Sequence, residues 1–511
     1  MNAERDRGSP AAHLGSPRQS DTKLHVDDAF LLIALAGLLM ARIPVIPVRF
    51  FDADEFEHAH AAWSVFRGLA PYKDFFEHHT PWYYFLLAPF FRWFAVDESF
   101  ENARHFLIFG RGLSLVLTTL SAMLAFLVGR LGANRKVGIL TALFLVGQPV
   151  VLQKTLEIRP DVPALPFFLG GLWFLLRGLA AEEPAATPRL RWFLEGGLCL
   201  GSAIMCTQKM LFVLPGALTG LGIWAVAGGQ RRLLARSLAG LVALVGIAIP
   251  GALTSVGFAL CGGGSRFIQY NFLLNAKWKM HSDEHLLVTL ETSWPILLLC
   301  LLGATVSLYR FYHAEQRRFG DILLLCTLGG LVAGILVVPS AYKQYYLMPL
   351  VIACVFAARG LAFVVEWVQQ RARAWLLLCA TLALLVWPVV ELRRSFFERD
   401  QRQTARLRYV FEHTQPTDTV LDGWLGTGVF RPHPLYYFFM HGELLAMLSE
   451  SQRAAYVDML ESGRVRPSLI TLDVELIALG SRFVRFVLKN YASNDGLFYF
   501  REPDHPRVML R

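Results

Sequence analysis

Asp52 to Tyr84, reading DADEFEHAHAAWSVFRGLAPYKDFFEHHTPWYY, crowds Asp52, Asp54, Glu55, Glu57, His58, His60, Glu77, His78 and His79 directly behind an apolar segment. Carboxylates and imidazoles are the groups that move protons and bind cations near neutral pH. Asp54 and Glu55 fall a few residues past the apolar segment, where protein and lipid partly desolvate a carboxylate, the setting that tunes a general base. The pair is therefore read as catalytic. Asp54 and His58, four apart, share a helix face and form a weak candidate for a divalent metal site, with Glu57 adjacent. His78 and His79 are consecutive, so on a helix or strand their side chains diverge and one points inward. Acids at a helix start also simply answer the macrodipole, but titratable groups this dense beside an apolar segment argue for function.

Later segments supply cations at what reads as the same depth. EIRPDVP carries Glu157, Arg159 and Asp161 around Pro160, CTQKM carries Lys209, and SAYKQYYLMP carries Tyr342, Lys343, Tyr345 and Tyr346. Pro160 restricts Arg159 and is read as a helix end. Each cation taken alone could be a snorkelling interfacial anchor. Acids in one loop facing cations in three others instead describe a cleft for an anion carried on lipid, with a base beside it. Phosphate is that anion: Arg and Lys neutralise it and ease its departure, and a carboxylate takes the proton of an attacking hydroxyl. This is the chemistry of glycosyl transfer from a polyprenyl-phosphate sugar, and the chain shows no nucleotide-binding Gly-rich motif.

The elements that must position these residues are membrane helices. Of 511 residues, 54% are hydrophobic and 17% charged, against roughly 25% charged in soluble proteins. Segments of about 17–25 apolar residues can cross a hydrocarbon core about 30 Å thick. They are expected near 29–48, 106–129, 137–152, 160–178, 192–208, 210–228, 234–257, 294–309, 321–339, 345–366 and 375–391, about eleven in all. Alternate loops are rich in Arg, as at Arg130 and Arg135, Arg177 and Arg189, Arg231 and Arg232, and Arg310 and Arg318. By the positive-inside rule those loops, and the amino terminus, are cytoplasmic. The net charge of +9 is thus a topology signal, and no clustered basic face suggests nucleic acid.

The expected organisation is a disordered cytoplasmic tail (1–28), a membrane domain (29–391) with long external loops at 49–105 and 258–293, and a soluble extracytoplasmic α/β domain (392–511). The aromatic run PWYYFLLAPFFRWF in the first loop is too short to span and is expected in the interface plane. The seven cysteines form no CxxC pair and read as small apolar fillers.

On these residues the chain resembles the GT-C glycosyltransferases, in particular the family of protein O-mannosyltransferases and the lipid A aminoarabinose transferase. The motifs are Asp54–Glu55 followed by RGLAPYKDFFEHHTPWYYFLLAPFF, then Arg111 opening RGLSL, EIRPDVPAL, QKM and YKQYYLMPL. The resemblance implies a multi-pass plasma-membrane enzyme with Asp54 at the catalytic acidic position and Glu55 as its companion. Glu77, His78, His79, Arg159, Asp161, Lys209, Lys343 and Tyr345 become the substrate-binding set. It further implies inversion at the anomeric carbon, a polyprenyl-phosphate sugar as donor, and a lipid, glycan or protein acceptor. A divalent metal is used by some relatives and not others. Members often carry His and Tyr where this chain has YKQYY, which leaves the donor sugar open. The alternative is a transporter or flippase of lipid-linked sugars, which would hold the same phosphate but place its charges near the bilayer midplane.

Overall fold

The computed structural model describes residues 26–180, 188–277, 284–313, 318–338, 341–368, 370–493 and 495–501; nearly all of the expected 1–28 tail lies outside them. Among the described residues, nine helices are long and apolar enough to cross a membrane, from Asp28–Val45 through Trp375–Phe397. Two shorter segments complete the bundle. Arg135–Val146, continued after a break by Pro149–Lys154, starts beside Asp28 and ends beside Asp52. Leu190–Cys206 runs from the Trp173–Trp192 contact to the turn where Gln208 reaches the His78 carbonyl. Nine of the eleven expected passes are thus long and apolar enough to cross; of the other two, the one expected at 137–152 is broken at Gln148–Pro149 and the one at 192–208 ends at Cys206.

Helices approach closely where side chains vanish. At Gly303 and Gly360 a Cβ would collide with the facing carbonyls of Phe356 and Leu299, the small-residue contact that replaces a hydrophobic drive inside lipid. The end of the bundle opposite the titratable loop carries its own buried ion pair, Arg359 with Asp321 at 2.8 Å.

At the other end the first external segment is folded rather than loose. The helix Ala53–Phe66 starts at a capping box: the Asp52 side chain accepts from the Asp54 N–H at 3.1 Å, and Glu55 reaches back to the Asp52 N–H at 3.0 Å, a cap worth about 1 kcal/mol. It stops at Gly68, whose φ of +87° suits the residue that follows a helix C-cap. Residues Glu55 to Ser64 are all buried. The run Trp82–Trp93 forms a short helix and a 3₁₀ turn. Phe91 packs on Phe106 and Phe430, while Trp93 stays 71% exposed.

The region after Phe397 docks on that same end. Phe50 N–H donates to the Glu398 carbonyl at 2.7 Å, and Gln403 pairs with both backbone groups of Phe51 at 2.8 Å. A four-stranded sheet follows, ordered Val420–Leu421, Leu469–Thr471, Phe498–Arg501, Tyr491–Ala492; the first pair is parallel and the other two antiparallel. Helices including Gln401–His413, Glu450–Glu461 and Ser481–Asn490 flank it, an α/β layering. Its loop 429–439 gives Val429, Phe430, Phe438 and Phe439 to the aromatic cluster built on Phe56, Trp63 and Tyr83, so this region shares a core with the first loop.

Candidate active site

Two irregular segments set the site. Residues 155–160 join the Pro149–Lys154 helix to the helix Asp161–Ala180, which begins immediately after Pro160; the proline opens a helix there rather than ending one. The second segment, Phe75 to Pro81, is neither helix nor strand and carries Glu77, His78 and His79.

Arg159 is the hub. Its guanidinium lies 2.7 Å from Asp54, 3.0 Å from Glu157, 3.7 Å from Asp161 and 3.9 Å from Asp52. Lys154 bridges Asp52 at 2.8 Å and Glu157 at 3.0 Å, and Arg49 meets Glu157 at 3.1 Å. Lys209 donates to both oxygens of Asp161, at 3.0 and 3.2 Å, and its ammonium sits 4.7 Å from the centre of the Tyr345 ring. Four acids thus meet four cations, which is how so many charges persist at low exposure.

Exposure separates the acids. The side chains of Glu55, Glu157 and Asp161 are at most 1% exposed, whereas Asp54 is 24% and Asp52 31%. Asp52 is committed to the helix cap and to Lys154. Burial disfavours its charge, but Lys154 and Arg159 outweigh that and hold its carboxyl well below the usual carboxylate range. Asp54 pairs with Arg159 and keeps 24% of its side chain exposed.

Glu55 occupies a different place. Arg111 grips it with two hydrogen bonds of 2.7 and 2.9 Å, and the Ile158 and Asp52 N–H groups donate to the same carboxylate. Arg111 is itself fully buried, donates to the carbonyls of Ile46, Arg49 and Phe50, and stacks 3.7 Å from the Phe51 ring centre. The carboxylate has no exposed surface with which to meet a substrate.

Lys343 makes no hydrogen bond or ion pair among the described residues. Its neighbours in the field are Lys154, Arg394, Glu391 and Glu157, so it adds positive charge to a site otherwise balanced. Tyr342, beside it, donates to Glu443 at 2.8 Å.

A second cluster lies alongside. Ligand atoms of Glu57, Glu77, His78 and His79 fall within 4.8 Å of one another. Glu77 accepts from the His78 and His79 N–H groups at 2.8 and 2.9 Å, turning the chain so that the two imidazoles come together at 4.0 Å instead of diverging. Burial raises the proton affinity of both carboxyls, Glu57 further through Glu77. Burial, then Lys209, pushes His79 down to about 3, and burial also lowers His78. Two facing carboxyls and two neutral imidazoles fit a borderline divalent cation in ligand type. The sequence candidates do not assemble a metal site: Asp54 is taken by Arg159, and His58 Nδ1 lies 3.2 Å from the Tyr84 hydroxyl.

Sequence reasoning missed the contribution of the last region. His441 sits 6.0 Å from His78, and Glu443, paired with His441, is held down to about 2 as that hydrogen bond overcomes burial. The HGE triplet at 441–443 was the available signal, and it is too short to stand out.

The sequence profile described as dolichyl-phosphate-mannose-protein mannosyltransferase matches residues 79–252. The structure resembles ArnT from Cupriavidus metallidurans bound to undecaprenyl phosphate, with a TM-score of 0.65 at 12% identity, covering 94% of this chain and 99% of that one. The fold is that of the GT-C glycosyltransferases. It also resembles the oligosaccharyltransferase AglB from Archaeoglobus fulgidus in complex with an inhibitory peptide and a dolichol-phosphate (TM-score 0.57, 13% identity, covering 93% and 75%). A further Archaeoglobus fulgidus oligosaccharyltransferase structure, with Zn and sulfate, matches at 0.52 and 13% identity, covering 80% and 62%. Comparison with curated protein sequences finds no match. The chain is a multi-pass membrane protein of that fold, and its candidate site residues lie at one end of the bundle.

Proposed function

We propose that the protein transfers a sugar from a polyprenyl-phosphate donor to a hydroxyl acceptor at the extracytoplasmic face, with Asp54 as the base. The observation that carries this reading is a reachable carboxylate held by Arg159 inside a cation-rich cleft at one end of a membrane bundle. The acceptor oxygen attacks the anomeric carbon and its proton passes to Asp54. The bond from that carbon to the phosphate oxygen breaks, and the electron pair leaves with the lipid phosphate. Lys343, Lys209 and Arg159 take up the phosphate charge, where limited water strengthens each contact. Tyr345 orients Lys209. A single displacement of this kind inverts the anomeric configuration. Undecaprenyl phosphate and dolichol-phosphate in the structures of ArnT and AglB support a polyprenyl donor.

Glu55 serves as a positioning residue: with Arg111 it fixes the start of the helix that carries Asp54. Glu77, His78, His79 and Glu57 would hold a divalent cation if one is used, and such an ion would supply further positive charge to the leaving phosphate. A transport role is disfavoured because the cluster lies at the bundle end instead of the midplane.

The test is incubation of purified protein with a panel of polyprenyl-phosphate sugars and hydroxyl acceptors, with products followed by mass spectrometry. Consumption of none of the donors, with the protein folded, would remove this reading.

A further inference from the structure

Lys343 sits between two tyrosines that are held from different parts of the chain. It opens the 3₁₀ turn Lys343–Tyr346, which leads into the helix Leu347–Trp367. On one side, the Tyr345 ring carries the Lys209 ammonium 4.7 Å from its centre. On the other, the Tyr342 hydroxyl donates to Glu443 at 2.8 Å, across 101 residues of sequence, and the Tyr342 ring packs 5.8 Å from His285. The Tyr345 N–H donates to the Tyr342 carbonyl at 2.9 Å, so the lysine and both tyrosines belong to one turn.

Glu443 does more than start a helix. It lies in the first turn of Gly442–Met447, where an acid answers the macrodipole. Its carboxylate is divided, however: Oε2 is taken by His441, and Oε1 is aimed off the helix at Tyr342. His441 is itself buried against Trp424, with ring centres 4.9 Å apart. Against the opposing effect of burial, the pairing with His441 holds Glu443 down to about 2. The bond it accepts from Tyr342 is therefore charge-assisted, the stronger class of hydrogen bond. Burial and that same bond push the Tyr342 phenol above its usual range, so it stays a donor.

The turn requires such a tether. Lys343 makes no hydrogen bond or ion pair among the described residues, and two of the charges in its field, Lys154 and Arg394, are of its own sign. Its ammonium ends a flexible four-carbon stem, so the reach of that charge is decided by where the backbone of residue 343 is held. Asp54 is among the charges that act on the Tyr342 hydroxyl, which sets the tethered turn on the Asp54 side of the cleft.

We propose that Glu443 is a positioning residue for the donor: through Tyr342 it fixes the turn that aims Lys343 at a lipid-borne phosphate. The carboxy-terminal region is then a working part of the donor site. This inference rests on the transferase reading above and adds to it a residue that the membrane bundle does not carry.

Equilibrium binding of undecaprenyl phosphate to the full-length protein in lipid nanodiscs tests the inference without requiring turnover, with hydrogen exchange at residues 341–346 measured on the same samples. Tyr342→Phe and Glu443→Ala should each weaken binding about tenfold, and the double variant no further, because both cut the same bond. Glu443→Gln keeps an oxygen for the Tyr342 hydroxyl and should bind within about twofold of the parent. Exchange at 341–346 should quicken in Glu443→Ala. In a Lys343→Ala background, Tyr342→Phe should cause no further loss, a dependence that general loosening of the fold would not produce. Unchanged exchange in Glu443→Ala overturns the tether. Parent-like binding in Tyr342→Phe, or a tenfold loss that persists without Lys343, overturns the positioning role and leaves the transferase reading standing. Failure of the folded, unmodified protein to bind undecaprenyl phosphate removes the phosphate contact of the transferase reading, and the positioning role with it.

Discussion

Arg159 lies 2.7 Å from Asp54 while also touching Glu157 at 3.0 Å. One guanidinium therefore holds the reachable carboxylate and a fully buried one together. Its fork is shared among acids from two segments more than a hundred residues apart in sequence, so the pair is both a brace and a route for charge. On the proposed reading, a donor phosphate entering the cleft would compete for Arg159 and free Asp54 to accept a proton.

Asp54→Asn keeps the shape and the contact to Arg159 but removes the base. Transfer from a polyprenyl-phosphate sugar should fall by about 10²–10⁴-fold, the usual weight of a general base, with membrane insertion intact. Full turnover in this variant, followed by mass spectrometry of the product, would contradict the role of Asp54.

Glu55→Gln should behave as a stability variant. Breaking a buried ion pair from one side costs about 3–5 kcal/mol because Arg111 is left buried with its charge uncompensated. The apparent unfolding midpoint in detergent should drop further than for Asp54→Asn, and turnover per folded molecule should stay within about tenfold of the parent. A normal midpoint combined with abolished turnover would return Glu55 to the catalytic pair.

Lys343→Ala should raise the apparent constant for the donor more than that for the acceptor, since Lys343 makes no ion pair among the described residues and is proposed to meet the phosphate. Equal changes in the two constants count against a phosphate contact.

Asp422 gives a pH signature. Burial, reinforced by Asp473, raises its carboxyl to about 6 from 3.8, so the folded state holds this proton more tightly than the unfolded chain. Stability from this group is complete below pH 3.8 and is lost as pH rises toward 6. The difference corresponds to about 3 kcal/mol. Asp422→Asn retains an oxygen for the Thr427 hydroxyl and Gly428 N–H, so the variant should unfold at a higher temperature than the parent at pH 7, with the gap closing by pH 4. A gap independent of pH would assign the effect to something other than this proton.

For the buried cluster, metal analysis of purified protein gives a direct reading. If Glu57, Glu77, His78 and His79 hold a cation, near-stoichiometric Zn²⁺ or Mn²⁺ should be retained after dialysis and be lost in Glu77→Gln or His79→Ala. Unchanged metal content in both variants would place any bound ion elsewhere.

What the sequence determined by itself follows from rules of short range. About eleven apolar runs of the right length dictate a membrane bundle, because hydrocarbon admits only segments whose backbone bonds are satisfied internally. Alternating Arg-rich loops put the acidic loop and the Tyr342–Tyr345 segment at one end, and the capping residues Asp52 and Glu55 mark where a helix begins. Tertiary structure alone decided how those charges divide. Asp54 and Glu55 are adjacent in the chain, yet the helix turns one toward the cleft and Arg159 and the other inward to Arg111, about 100° apart. The consecutive imidazoles of His78 and His79 meet because the Glu77 carboxylate, three-dimensionally fixed, gathers their N–H groups. The cavity lined by Asp52, Gln403 and Trp424 exists only because Gln401–His413 and the Trp424 loop return to a segment some 350 residues earlier, a pairing no local pattern encodes.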